Sequence, residues 1–348
     1  MGAKKEKICL LCENIEEPFD EGMKKTIVNY IRILKSKRNV CVFGRDITGH
    51  IGRPYRLNRL FLNQPFKSDI RDLNPDVVLY FPEASLTAGA LIRGKVISYY
   101  SQKPVAIVGL QVRKYSMFAK LILRMVRPDL LFLQSRAAET FYRQQNFKTA
   151  YLRSGIDLER FYPISERKKM ELREKWRLPL DKKILLHVGH INENRGLFDL
   201  FEIASHSNHV LIVGSTSTVQ DEKLKKELIS RGATVVDDYV ETIEEIYQMA
   251  DLYVFPTRIY SAAMEFPLSV LEAMACGLPI LTVPYGGLVD YFEQNQCFQY
   301  YSNPSDARTL AAEIFSREMN CCHSNVENAE KFNWGFVAEE LLVKLDEL

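Results

Sequence analysis

The chain alternates short apolar runs with stretches of helical periodicity, and it does so twice over. In the first half, Ile8 to Glu13, Val40 to Gly44, Asp76 to Phe81, Val105 to Leu110 and Leu130 to Gln134 read as strands. Helices are predicted among them at Glu21 to Lys37, where Ile27, Ile31 and Leu34 share a face, at Leu86 to Tyr100 and at Arg136 to Gln145. In the second half the predicted strands are Ile184 to Gly189, Val210 to Gly214, Thr234 to Asp237 and Asp251 to Phe255. Their helices are Leu197 to Ala204, Lys223 to Ser230, Thr242 to Met249 and Asp306 to Arg317. A helix between successive strands returns the chain to the same end of the sheet, so both sheets should be parallel and covered on both faces. The predicted architecture is α/β with two Rossmann-like domains, each binding its ligand at the carboxyl ends of its strands. A length of 348 residues suits two domains of ordinary size.

One stretch of the second half is unusual. Met264-Glu265-Phe266-Pro267-Leu268-Ser269-Val270-Leu271-Glu272-Ala273-Met274-Ala275-Cys276-Gly277-Leu278-Pro279 reads as an acidic loop and a short helix, followed by a strand at Ile280 to Val283. Pro267 sits where a missing N–H costs nothing, and Leu271, Met274 and Ala275 make an apolar face. Gly277 is placed for a left-handed cap and Pro279 stops the helix. Glu272 falls in the first turns of this helix, among apolar inward positions. Such a carboxylate either compensates the helix dipole as a surface residue or accepts hydrogen bonds from a pair of sugar hydroxyls. In the second case, the N–H groups ahead of it face a phosphate.

This segment resembles the donor-binding motif of retaining GT-B glycosyltransferases of family 4, a Glu, seven residues, then a second Glu. Phe266, Pro267, Leu268, Leu271 to Gly277 and Pro279 match it position by position. The first glutamate's place is held by Met264, and Glu265 stands one residue late. Either the loop slides so that Glu265 does that work, or the role is lost. Gly189-His190-Ile191-Asn192-Glu193-Asn194-Arg195-Gly196 is similar to the family's G-R-x-x-x-x-K-G loop, whose cations hold the donor diphosphate. Cleaving a sugar–diphosphate bond needs positive charge fixed near the departing oxygens; Arg195 carries it permanently and in forked form, whereas His190 carries it for part of the neutral range.

Further parts of the resemblance are weaker. Gly286-Gly287 is similar to the diglycine loop near the nucleotide sugar, although turn geometry alone also accounts for it. Gly22 lies where the family has a glycine-rich loop after its first strand, and an ordinary helix start explains it equally. Gln111 follows the fourth strand, where many members carry a histidine; it can hydrogen-bond a sugar hydroxyl on the acceptor side but is a poor proton acceptor. Ser154-Gly155-Ile156-Asp157 through Pro163 resembles the inter-domain crossing, and Phe332-Asn333-Trp334 through Leu341 the terminal helix that crosses back.

The resemblance implies an amino-terminal acceptor domain over 1–163, a nucleotide-sugar donor domain over 164–330 and a returning helix over 331–348. By the same resemblance, Glu272 would bind ribose, Arg195 and His190 the diphosphate, and Glu265 the sugar, with Phe266 and Leu268 on the donor side. The implied activity is hexosyl transfer from a nucleotide-diphosphate sugar to a glycan, a lipid-linked acceptor or a cell-surface polysaccharide precursor. It would proceed with retention and without a metal or resident cofactor. The alternative is a degenerate GT-B protein that binds a nucleotide sugar or a protein partner without transfer.

A formal charge of +2 gives no general affinity for nucleic acid. Seven cysteines lack framework spacing. Cys9 and Cys12 form a C-x-x-C inside a predicted strand with no completing pair, which favours buried thiols over zinc and suits the reducing cytoplasm. No signal-peptide core or membrane-length apolar run is expected. Residues 45–71 read as an irregular basic loop, solvated or facing an anionic acceptor. Arg113 to Arg127 reads as an amphipathic basic helix. It would either cover the sheet or make peripheral contact with the inner face of a membrane.

Overall fold

The computed structural model describes residues 4–348 apart from 84, 114, 117–122, 124, 218 and 318–321. The first sheet contains β1 (Lys7–Ile15), β2 (Asn39–Ile47), β3 (Arg53–Pro54), β4 (Val77–Phe81), β5 (Val105–Gly109), β6 (Leu130–Leu133) and β7 (Thr149–Tyr151). Its spatial order is β3-β2-β1-β4-β5-β6-β7. The second sheet contains β8 (Lys183–Val188), β9 (Asn208–Val213), β10 (Thr234–Val236), β11 (Leu252–Phe255), β12 (Ile280–Thr282) and β13 (Phe298–Tyr300), in the order β10-β9-β8-β11-β12-β13. Every strand pair is parallel. Each sheet therefore reverses its winding beside its first strand, at β1/β4 and at β8/β11. Loops diverge there and leave a crevice at the carboxyl ends.

The strands are buried on both faces, so they read as continuous apolar runs and not as alternation. All five residues of β4 and of β5 are buried. Cys9 packs with one face of the first sheet and Cys12 with the other, so the C-x-x-C spacing puts the two thiols on opposite sides. Burial pushes the Cys12 thiol up to about 12.

The irregular basic loop expected over 45–71 is partly ordered structure. Arg53–Pro54 forms the edge strand, and a helix runs Gln64–Leu73 with Pro65 in its first turn and Asn74 closing it at φ 46°. The driving force is Phe61, Phe66 and Ile70, all fully buried beneath the basic side chains. The helix predicted at Arg113 to Arg127 falls largely on residues outside those described. Among the described residues no helix is long and apolar enough to cross a membrane.

Two chain crossings join the lobes, and they lie side by side. Ile156 donates its N–H to the Phe332 carbonyl at 2.8 Å, and Ile156 bridges to Asn333. The terminal helix Trp334–Asp346 then packs Trp334, Val337, Leu341 and Leu345 into the core of the first lobe with Ile27, Tyr30 and Leu34. Gly155 is obligatory here, because a Cβ would overlap the Trp334 indole.

Candidate active site

The helix Leu268–Ala275 is buried almost all round, wider than the single apolar face expected, because it closes the second core and walls the crevice at once. Gly277 ends it at φ 76°. Its amino terminus has Pro267 as cap, no capping side chain, and Pro267, Leu268 and Ser269 lining the crevice. Uncapped N–H groups at such an end favour an anion.

The crevice between the lobes holds a cavity of about 270 Å³. The first lobe contributes Asp20, Glu21, Gly22, Lys25 and Gln111, and the second contributes Gly189, His190, Arg195, Ser215, Ser261 to Met264 and Glu272. Two further spaces adjoin it. One of about 60 Å³ reaches Gly214 and Tyr239 at the ends of β9 and β10, and one of about 270 Å³ passes between Lys25, Glu272 and Trp334.

Arg195 is fixed by its loop. Asn192 caps the single turn Glu193–Arg195 through Asn194 N–H at 3.1 Å, and Gly196 leaves that turn at φ 68°, pressed against the Pro256 carbonyl. The guanidinium crosses below Gly189, where a Cβ would stand 3.2 Å from Nη1. Arg195 is 7% exposed, and its Nε has no hydrogen-bond partner. Burial lowers its pKa against the attraction of Tyr285, Tyr253 and Glu21. A cation desolvated in this way, with no bonded counter-ion among the described residues, favours an anion beside it.

Glu272 is 4% exposed. Its Oε2 accepts from the Tyr247 hydroxyl at 2.6 Å and its Oε1 faces Lys25 Nζ at 3.3 Å. The carboxylate is therefore aimed into the crevice and is not a surface dipole residue. His190 lines the same space, with Nε2 3.8 Å from Glu21 Oε1; burial and then Arg195 depress its pKa to about 4, so the ring is neutral there. Gly22 opens the helix Gly22–Lys37 against the Met264 sulfur, 3.5 Å from where its Cβ would lie. Leu268 also lines the cavity.

Four predicted residues stand elsewhere. Glu265 is fully buried outside the cavity lining, and its Oε2 accepts from Ser135 Oγ at 2.5 Å across the lobe interface. Its backbone is held too, N–H to the Leu110 carbonyl at 2.9 Å and carbonyl to the Gly287 N–H at 2.7 Å. The loop does not slide: Met264 faces the crevice, and burial raises the Glu265 carboxyl to about 7. Phe266 is core, stacked on Phe332 with centroids 5.2 Å apart. Gly286 and Gly287 serve close backbone approach, since a Cβ on the first would overlap the Glu265 carbonyl and on the second the Gln134 carbonyl. Gln111 lines the crevice, but its amide donates to the Ser261 and Ala263 carbonyls at 2.7 and 3.0 Å, tying the loop of one lobe to the other.

Three contributors were not singled out in the sequence. Asp20 ties the lobes through Ser215 Oγ at 3.1 Å, Thr216 Oγ1 at 2.7 Å and Ser217 Oγ. Lys25 and Tyr247 hold Glu272. Their only sequence signal was position, an acidic loop before the first helix and a tyrosine on the inner side of the helix Ile243–Gln248.

Residues 168–331 match the family described as Glycosyl transferases group 1. A Bacillus subtilis protein named as the teichuronic acid biosynthesis glycosyltransferase TuaC is 28% identical over 257 residues, 70% of this chain and 61% of its own length. Spore coat protein SA of the same organism is 28% identical over 222 residues, 56% of this chain and 58% of its own. The chain thus spans about three fifths of these relatives. Anabaena HepE, solved in complex with UDP, superposes with a TM-score of 0.78 at 15% identity, covering 98% of this chain and all of that one. The fold is GT-B, and the residues that match the group 1 glycosyltransferase family lie in its second lobe.

Proposed function

We propose that this group 1 glycosyltransferase chain moves a hexose from a nucleotide-diphosphate sugar to the hydroxyl of a glycan or lipid-linked acceptor, with retention. The observation that carries the reading is Arg195, a buried cation whose Nε has no partner, beside an uncapped helix terminus and a carboxylate turned into the same crevice. That set complements a nucleoside diphosphate: phosphate on Arg195 and the terminus, ribose hydroxyls on Glu272. The base would follow the loops after β9 and β10, where the smallest space opens.

In the reaction, the bond from the sugar's anomeric carbon to the phosphate oxygen breaks, and one to the acceptor oxygen forms on the same face. The acceptor proton passes to the departing phosphate oxygen, which Arg195 stabilises as its charge develops. Such transfer asks for no protein base at the sugar. It also asks for no metal, because Arg195 and the helix terminus supply the positive potential. The described cysteines are free, in keeping with a reducing cytoplasm.

A second reading, nucleotide-sugar binding without transfer, draws on Glu265, whose carboxylate is spent on the lobe interface. Release of nucleoside diphosphate from a panel of UDP, GDP and ADP sugars, with candidate acceptors, separates the two. Turnover on one donor supports transfer. Saturable binding with no turnover on any leaves the binding reading.

A further inference from the structure

We propose that Lys25 is a displaceable occupant of Glu272 that makes nucleotide binding conditional on the phosphates, an inference that rests on the donor site proposed above. Lys25 belongs to the first lobe, on the opening turn of the helix Gly22–Lys37, yet its ammonium lies 3.3 Å from Glu272 Oε1 in the second. The separation is long for a settled charge-assisted bond, which closes to about 2.7–2.9 Å. Among the described residues this is the only hydrogen bond its Nζ makes. The other carboxylate oxygen is taken at 2.6 Å by Tyr247, a fully buried phenol with no room to leave. The weaker of the two contacts is therefore the one across the cleft.

Placement gives the contact its meaning. Lys25 lines all three adjoining spaces of the crevice and stands at their junction. A ribose diol approaching Glu272 from the crevice meets the oxygen that the ammonium holds, since the buried phenol of Tyr247 bonds Oε2, and so it competes with Lys25 for Oε1. A lysine displaced in a part-buried cleft gains from another anion; of the carboxylates lining the cavity, Asp20 is held by Ser215, Thr216 and Ser217, and burial raises the Glu21 carboxyl. A nucleoside brings no anion. A nucleoside diphosphate brings one into the same cavity that Lys25 and Arg195 both line. The exchange then ties the first lobe to a ligand held by the second, so binding and lobe closure are one event.

The test is calorimetric titration of wild type and Lys25→Met with uridine, guanosine and adenosine and with the three corresponding diphosphates. Methionine keeps the apolar stem and removes the charge. The expected result is a pair of opposite shifts: diphosphate affinity falls about tenfold while affinity for the matching nucleoside rises about threefold, as removing one charge contact and one competitor would give. Lys25→Arg should recover the diphosphate affinity and separate loss of charge from loss of fold. Equal weakening of both ligands, or no change in either, overturns the proposal while leaving the donor site standing. Failure of wild type to bind any of the three diphosphates removes the donor site, and this inference with it.

Discussion

Replacing Arg195 by methionine should move stability and binding in opposite directions. In the free protein Arg195 is 7% exposed and its Nε has no hydrogen-bond partner among the described residues. A buried donor without a partner costs about 1–3 kcal/mol, and a charged one is at the upper end. The neighbouring Glu21 attracts it without a hydrogen bond between them, and burial still lowers its pKa overall, the sign of a charge held at a cost. Arginine stays charged at any working pH, so this penalty has no pH window and is read by mutation instead. Methionine has similar length and no charge, so Arg195→Met should raise the melting temperature of the free protein, by about 2–4 °C per kcal/mol for a domain of this size. With nucleoside diphosphate the order reverses. One charge-assisted phosphate bond is worth about 1.5–3 kcal/mol, which is about 10- to 150-fold in Kd. Thermal melts with and without ligand, together with a titration, read both effects. A free variant that melts below wild type, or one that binds diphosphate equally well, refutes the reasoning.

Two other perturbations follow from the lobe interface. Glu265 is raised from 4.5 to about 7 by burial, with Asp290 adding to the rise while hydrogen bonds from Ser135 and Tyr260 oppose it, and Tyr142 and Tyr285 also nearby. A raised acid stabilises the fold fully below 4.5 and loses that contribution as pH climbs to about 7, some 1.4 kcal/mol per pH unit and about 3 kcal/mol in all. Denaturant unfolding of wild type should therefore lose stability relative to Glu265→Gln over that window, and parallel profiles would contradict it. For Asp20, burial alone would raise the carboxyl, but hydrogen bonds from Ser217, Thr216 and Ser215 hold it below the usual range. Its contribution is present at neutral pH and lost as pH falls through that depressed value. Asp20→Asn should loosen the lobe contact by about 1.5–3 kcal/mol and enlarge the radius of gyration in solution scattering of the free protein. An unchanged scattering curve would refute the latch.

The long strands and helices were legible because their periodicity is strong, and both sheets followed from alternation alone. The short elements were not. β7 and β13 have three residues each, too few to show a period, whereas the equally short β10 and β12 were marked by their β-branched runs. The helix Gln64–Leu73 was hidden by its basic exterior, since Arg71 and Lys67 suggested a solvated loop while Phe66 and Ile70 carried the fold. Within the crevice, Arg195 and Glu272 could be named because each holds a fixed place in a recognisable stretch, the loop after β8 and the helix Leu268–Ala275. Glu265 could not be placed, because a one-residue difference in an irregular loop decides whether Met264 or Glu265 faces the ligand. Lys25 and Asp20 act across the lobes and Tyr247 reaches Glu272 from another helix of its own lobe; no local pattern records a contact between residues 25 and 272.

The most direct measurement is a crystal structure with whichever of UDP, GDP or ADP binds. The account predicts the diphosphate within hydrogen-bond distance of Arg195 and the amino terminus of the helix Leu268–Ala275, with the ribose hydroxyls on Glu272. A nucleotide seated elsewhere, with the Arg195 guanidinium still unpaired beside an empty crevice, would contradict it.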